Sequence, residues 1–442
     1  MTSMQPPVIV MNMFYTGLGI ARSLGKRGIR VIGLSAQRGT YGNLTRYAEV
    51  RLCPDSRHHP EELFDFMMQL GRGSSERGII FPTRDDDIVF LDRYREELSG
   101  YFALAIPSHS VVTSCLDKWE THQWAQRAGI PSPNAWMVNG ADEMCRVMDE
   151  VRYPCVLKPV ESFDWHRGSN WVLVGGRKAI GVTSREELLK EYQTVSAAGQ
   201  RVLVQEMVEG EDNQLYIAAC FLNKDSRLSA GFTARKLMQV PEGFGTGCIV
   251  EGVDCPEVLL LAERLLNAMR YTGIAEVEFK RDRCSGDFRL IEINARPWDQ
   301  HRLGTCCGTD LIYLAYREYT GLAAEPSGIE VRQHGTPSSG KLAQGAKWIA
   351  EDAFAMAMLQ NIFRSWSSVR SQLHAARGRR IFAIWSADDP LPSFMWLARF
   401  VTKLVALSGR YLSAQFGRAF RGAFRGRMET NVYGIERTKS RN

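Results

Sequence analysis

Two runs in the second half of the chain carry the residues best suited to chemistry. Ala275–Lys280 and Phe288–Ile293 alternate and are rich in β-branched and aromatic residues, and a polar stretch with a Ser-Gly pair separates them. That pattern predicts a β-hairpin. Strand side chains return to the same face every second residue, so Glu276 and Glu278 share a face, as do Glu292 and Asn294. Closing the hairpin brings Glu278, Glu292 and Asn294 together as three oxygen donors, the ligand type of a hard cation such as Mg²⁺. Arg296, two residues on, can neutralise a phosphate through paired hydrogen bonds. Standing alone, the stretch reads equally well as a solvated hairpin with ordinary surface acids.

Other parts of the chain supply cations and ligand-facing backbone. Lys118 falls in the first turn of a helix predicted over Asp117–Ala128, where a cation opposes the helix dipole. Lys158 ends the apolar run YPCVLKP, and a lysine in such a strand needs an anionic partner. After the strand Leu203–Gln205 comes EMVEGED. A strand edge leaving its sheet offers backbone donors and acceptors to an adenine ring, with a carboxylate beyond for ribose hydroxyls. Arg235 and Lys236 precede the glycine-rich Gly243–Gly247, which reads equally as a phosphate-facing loop or a hairpin tip.

The elements that must position these groups begin with a strand, glycine turn, helix and strand over Val8–Leu34, the start of a parallel doubly wound sheet. The turn is a poor dinucleotide fingerprint, because Arg22 stands at the third glycine position and Ser35 where an acid is wanted. Ile79–Pro82 is a further strand running into Thr83–Asp87, where Asp85–Asp87 charge the first turn of a helix and Arg84 is open to either a structural or a ligand role. A chain of 442 residues exceeds one core and predicts two to four domains. Ten cysteines without metal-type spacing point to free thiols in a reducing cytoplasm. No signal-type leader or uncharged run of about 20 apolar residues is present.

The ordered set Lys118, Lys158, Gln205–Asp212, Glu278, Glu292, Asn294 and Arg296 resembles the ATP-grasp ligases over roughly residues 1–325. The fragments LDKWETHQWAQRAGIPSP, PCVLKP, QEMVEGED, AEVEFKRD and LIEINARPW are most similar to a branch of carboxylate–amine ligases related to D-aspartate ligase. The resemblance implies an α/β and α+β multidomain ATP-grasp fold. A Rossmann-like domain would span 1–112, a linker helix and small lid subdomain 113–208, and a large subdomain 209–325. A linker and helical, basic extension would follow over 326–442. It implies that Lys118 and Lys158 meet ATP phosphates, that Gln205, Glu206 and Val208 hold adenine, and that Asp212 holds ribose. Glu278, Glu292 and Asn294 would bind two Mg²⁺ ions, or Mn²⁺ in their place. Arg296 and Lys236 would be catalytic, facing the transferred phosphoryl group. The substrates implied are a small carboxylate and a small amine, joined with release of ADP and phosphate, and the family is often dimeric. One departure is the segment Glu161–Asn170, which has a single glycine where the family carries a glycine-rich flap. Either Arg167 or His166 does the flap's work there or the loop serves the acceptor substrate, and His301 is expected to line the site.

Residues 399–442 hold ten Lys or Arg against two Glu, while the rest of the chain is near neutral. Helical patterns are expected around Lys347–Arg370 and over Phe394–Gly409. The segment WSADDPLP resembles a C-terminal feature of the same ligase branch. The basic amphipathic composition of 394–442 fits peripheral contact with an anionic membrane at its inner, cytoplasmic face. Without a reading module it does not indicate nucleic acid. A reading of a different class is a nucleotide-binding regulator or membrane-associated scaffold that has lost catalysis, which the single-glycine segment would suit.

Overall fold

The computed structural model describes residues 5–402, except 162, 167, 199–200, 323–343 and 363–364. The expected linker at Ser327–Gly340 and the basic tail from residue 403 lie outside the described residues.

The first sheet is parallel, in the order β3-β2-β1-β4-β5. Its strands are β1 (Val8–Met11), β2 (Val31–Ser35), β3 (Glu49–Leu52), β4 (Gly78–Phe81) and β5 (Phe102–Leu104). All four residues of β1 and all four of β4 are buried, as expected for central strands covered on both faces. The strand order reverses between β1 and β4, and α1 (Tyr15–Gly25) leaves the carboxyl end of β1. Ligands of open α/β sheets bind at such a switch point.

A small antiparallel sheet follows, in the order β6-β9-β7-β8. Its strands are β6 (Ala135–Val138), β7 (Cys155–Pro159), β8 (Ile180–Val182) and β9 (Val202–Glu206). Its own core includes Leu157, Trp165, Ile180 and Val204.

The third sheet has seven strands, in the order β14-β13-β10-β11-β12-β15-β16. They are β10 (Leu215–Leu222), β11 (Leu228–Val240), β12 (Thr246–Val253), β13 (Gly273–Arg281), β14 (Phe288–Asn294), β15 (Lys347–Ile349) and β16 (Arg380–Phe382). The hairpin predicted around residues 275–297 is β13–β14, with Glu278 opposite Glu292 and Glu276 opposite Asn294.

The C-terminal region differs from the helical extension expected. Lys347–Ile349 is a strand, pairing antiparallel with β12 and parallel with β16. Three-residue strands carry too little periodicity to be told from helix starts. What makes them strands is the edge of β12, whose hydrogen-bonding groups need partners. Helices Glu351–Ile362 and Trp366–Ala375 lie between them.

The segment WSADDP locks this region onto the N-terminal sheet. Arg22 on α1 is 2% exposed, and its Nε donates to Asp389 Oδ2 at 2.9 Å. Arg22 Nη2 also donates to the carbonyls of Ile384 and Asp389. Asp389 further accepts from Thr45 Oγ1 and the Arg46 amide. Beside it Asp388 pairs with Lys26 and accepts from Tyr47.

Candidate active site

The hairpin and β11 build the acidic floor. Glu276 and Glu278 are 3% and 6% exposed. Lys236, itself buried, reaches across β10 and donates to Glu278 Oε1 at 2.6 Å. Asn294 Nδ2 donates to Glu276 Oε2 at 2.9 Å, while Glu276 Oε1 is buried without a hydrogen-bond partner. Arg296 closes the chain of contacts: its Nη2 donates to Asn294 Oδ1 at 3.2 Å and its Nε to Asp85 Oδ1 at 2.7 Å.

Burial raises the Glu276 carboxyl well above its ordinary range, and Glu278 raises it further. Burial also lifts Glu278, against the pull of Lys236. For Glu292 burial is outweighed by Lys236, Lys118 and Lys158, which hold its carboxyl below the ordinary value. The cluster thus interleaves buried carboxylates with the cations Lys118, Lys158, Lys236 and Arg296, and its oxygens are of the type that holds divalent ions. The donors are hard oxygens, and Glu276 Oε1 remains to be satisfied. Among the described residues no group of three His, Cys, Asp or Glu side chains converges on one point. Lys236 and Asn294 interleave the acids, so the donor set is two facing carboxylates with an amide oxygen.

The opposite wall comes from the small sheet and the helix Lys118–Arg127. Asp117 caps that helix by accepting from the amides of Trp119 and Glu120, and the Lys118 amide donates to Val160 O at the end of β7. This fixes Lys118 over the cleft. Burial lowers its ammonium, while Glu292, Asp85 and Asp164 favour the charged form. Lys158 on β7 donates to Gln205 Oε1 on β9 at 2.8 Å. Burial brings the Lys158 ammonium down to about 8, with Lys118 lowering it further and Glu292 resisting. One cleft is lined by Asp85, Lys118, Lys158, Gln205, Glu292 and Asn294.

The segment expected to hold a nucleoside lies at the rim of this cleft. Glu206 accepts from Asn134 Nδ2, and its amide donates to Asn134 O. The Met207 amide donates to Pro154 O, and Val208 is buried. Asp212 accepts from the Gly243 amide at 2.9 Å, so the glycine-rich tip folds against the proposed ribose carboxylate. Phe244 and Met207 both approach Gly181 on β8, closing the rim with apolar surface.

Several residues weighed in the sequence serve the framework. Arg84 pairs with Asp55 and Asp87. Asp87 is wholly buried and accepts from Asn12, Ser56 and the amides of Thr83 and Arg84. Arg235 pairs with Glu251 across β11–β12. His301, expected to line the site, turns onto α1, where its Nε2 lies 3.0 Å from Thr16 O and its ring packs against Gly19. Asp299 accepts from Thr16 Oγ1. The single-glycine segment is pinned by Trp165, 1% exposed in the small-sheet core. Arg167 lies outside the described residues, as does the side chain of His166.

The sequence reading missed three contributors. The favoured reading of Asp85 as helix charge misses that its carboxylate anchors Arg296. Glu276 was placed on the right face but given no role. Lys178, before β8, is close enough to pull on Asp85, Glu278 and Glu292. Nothing local marks Lys178, because its approach depends on how the small sheet sits over the hairpin.

Comparison with known proteins places this geometry. No family model matches the chain. D-aspartate ligase from Enterococcus faecium is 21% identical over 231 residues, covering 50% of this chain and 54% of that protein. The chain spans about half the length of the curated relatives it matches. Biotin carboxylase from Campylobacter jejuni, solved with β,γ-ATP, superposes with a TM-score of 0.59 at 18% identity, covering 74% of this chain and 73% of that one. L-amino acid ligase from Bacillus licheniformis superposes with a TM-score of 0.56 at 15% identity, covering 75% and 78%.

Proposed function

We propose that this chain, whose fold is that of the ATP-grasp superfamily, is an ATP-dependent ligase joining a carboxylate to an amine. One observation carries the reading. Lys118 and Lys158 line one cleft with Glu292 and Asn294, and Lys236 paired with Glu278 and Arg296 bonded to Asn294 adjoin it, where the small sheet faces the seven-stranded one. A binding module for a nucleotide needs the lysines but not the facing carboxylates.

A carboxylate is a poor acyl donor because its oxygen is a poor leaving group. Moving the γ-phosphoryl group of ATP onto that oxygen gives an acylphosphate and ADP. Attack by an amine then forms the amide and releases phosphate. In this chain Lys118 and Lys158 would bind the triphosphate, with Gln205 orienting Lys158. The segment Glu206–Val208 and Asp212 would receive the nucleoside. Glu278, Glu292 and Asn294 would hold Mg²⁺, which supplies charge neutralisation on the transferring phosphoryl group. Arg296, held at a fixed angle by Asp85 and Asn294, would bind the developing negative charge of the acyl centre. Lys236 would neutralise Glu278 when no metal ion does. The sequence similarity to D-aspartate ligase favours amide formation over transfer to bicarbonate.

The test is Mg·ATP turnover against a panel of amino acids, small carboxylates and bicarbonate, reading ADP, phosphate and product mass together. ADP release that requires both a carboxylate and an amine, with a new amide mass, supports the ligase. Nucleotide binding without turnover across the panel would instead support a regulator, the reading that the Trp165-pinned segment favours.

A further inference from the structure

Residues 391–402 form a helix directly after the Asp388–Asp389 anchor. One face of it is docked, since Met395 and Trp396 pack against the main core. Arg399 lies against Gly39 in the loop after β2. The opposite face is apolar and bare: Leu391 is 54% exposed, Phe394 60%, Leu397 47% and Val401 49%. At about 100° per residue these four fall within an arc of about 120°. Single exposed apolar residues need no explanation, but a stripe held open on a docked helix marks an interaction surface.

We propose that this stripe is a docking surface for an anionic lipid bilayer, on which the protein lies peripherally. Charge identifies the occupant. From Arg399 to Arg427 the chain has seven Lys or Arg and no Asp or Glu, interspersed with Phe400, Tyr411, Phe416, Phe420 and Phe424. The two acids just before the helix are engaged, Asp388 by Lys26 and Asp389 by Arg22. A second copy of the chain would set this positive run against itself. An anionic membrane meets both demands, because apolar side chains enter the acyl boundary while cations meet the headgroups. No helix among the described residues is long and apolar enough to cross a membrane, so the attachment lies in the interface plane. The anchoring of Asp389 by Arg22, Thr45 and Arg46 holds the stripe at a fixed orientation to the cleft.

The full chain is tested by flotation with vesicles of phosphatidylcholine and with vesicles containing about 30 mol % phosphatidylglycerol. The expected result is at least about tenfold tighter binding to the anionic vesicles, lost near ~0.5 M salt as the Debye length contracts. The triple variant F394D/L397D/V401D should bind those vesicles about tenfold more weakly. Its thermal unfolding should match wild type, since the altered side chains are exposed. Equal wild-type binding to both vesicle types, or undiminished binding of a folded triple variant, would overturn the proposal. So would a wild-type dimer in sedimentation velocity that the triple variant splits, which would assign the stripe to a second copy. None of these readouts depends on turnover, so the proposal stands or falls apart from the ligase reading.

Discussion

Lys158 gives the most exacting test of the phosphate-binding cleft. In the ligand-free protein its ammonium is brought down to about 8, chiefly by burial, against about 10.4 for an unfolded lysine. A bound triphosphate would hold the proton in place. At pH 8 about half of the free molecules carry that proton, so binding takes up about half a proton per ATP. Between pH 8 and 9 affinity should fall by about fivefold, or about 1 kcal/mol, and below pH 7 this group should contribute almost no slope. The effect on folding runs the other way. Because the folded pKa is depressed, the fold disfavours the charged form below pH 8, and that cost is relieved as pH rises from about 8 towards 10. The assay is calorimetric titration of Mg·ATP at pH 8 in Hepes and in Tris, whose ionisation heats differ. Apparent binding enthalpies should differ by about half that difference, and Lys158→Met should abolish both the buffer dependence and the pH slope. Identical heats in the two buffers, or proton uptake that survives in Lys158→Met, would refute the placement of Lys158 against phosphate.

Three further outcomes are expected. Glu292→Gln should lower Mg²⁺-dependent turnover on the order of 100-fold or more with circular dichroism unchanged; wild-type turnover would remove Glu292 from the metal site. Lys236→Met leaves Glu278 buried without its cation and should cost roughly 3–5 kcal/mol in the absence of metal, part of which saturating Mg²⁺ restores in a thermal-shift assay. A Tm loss of the same size with and without Mg²⁺ would count against Glu278 as a ligand. Asp389→Ala should strand the Arg22 guanidinium and cost roughly 3–5 kcal/mol, about 4 °C in Tm for a cooperative chain of this length. The double variant R22M/D389N, whose amide oxygen can still accept from Thr45 or the Arg46 amide, should recover most of that loss, and a double variant as unstable as the single would show that packing, not the ion pair, was being measured.

The hairpin and the parallel start were legible because each rests on a local period. The alternation of β13 and β14 places Glu278 opposite Glu292 without tertiary information, and the unbroken apolar runs of β1 and β4 announce central strands. Lys158 was legible as a lysine on a buried strand, but its partner was not: in place of the expected anion its ammonium donates to the neutral Gln205 Oε1. The partners of Arg296 and Arg22 were not legible. Asp85 lies 211 positions from Arg296 and Asp389 lies 367 positions from Arg22, and no local pattern distinguishes an acid charging a helix turn from one reaching another domain. His301 illustrates the same limit. Its position beside Trp298 and Asp299 suggested the cleft, but the close approach permitted by Gly19 draws it to α1 instead. The strands β15 and β16 were hidden because their pairing is dictated by the open edge of β12 rather than by their own residues.

The Arg22–Asp389 contact has a consequence for how the protein is made. Translation at roughly 5–20 residues per second separates these two residues by about 20–70 s. Throughout that interval the nascent N-terminal sheet holds an arginine whose carboxylate has not yet been synthesised, and once β12 is made its edge lacks a neighbour until Lys347–Ile349 follows. The N-terminal and central sheets therefore reach their final stability only as the C-terminal region leaves the ribosome. Synthesis is the period in which this chain is most open to misassembly and proteolysis.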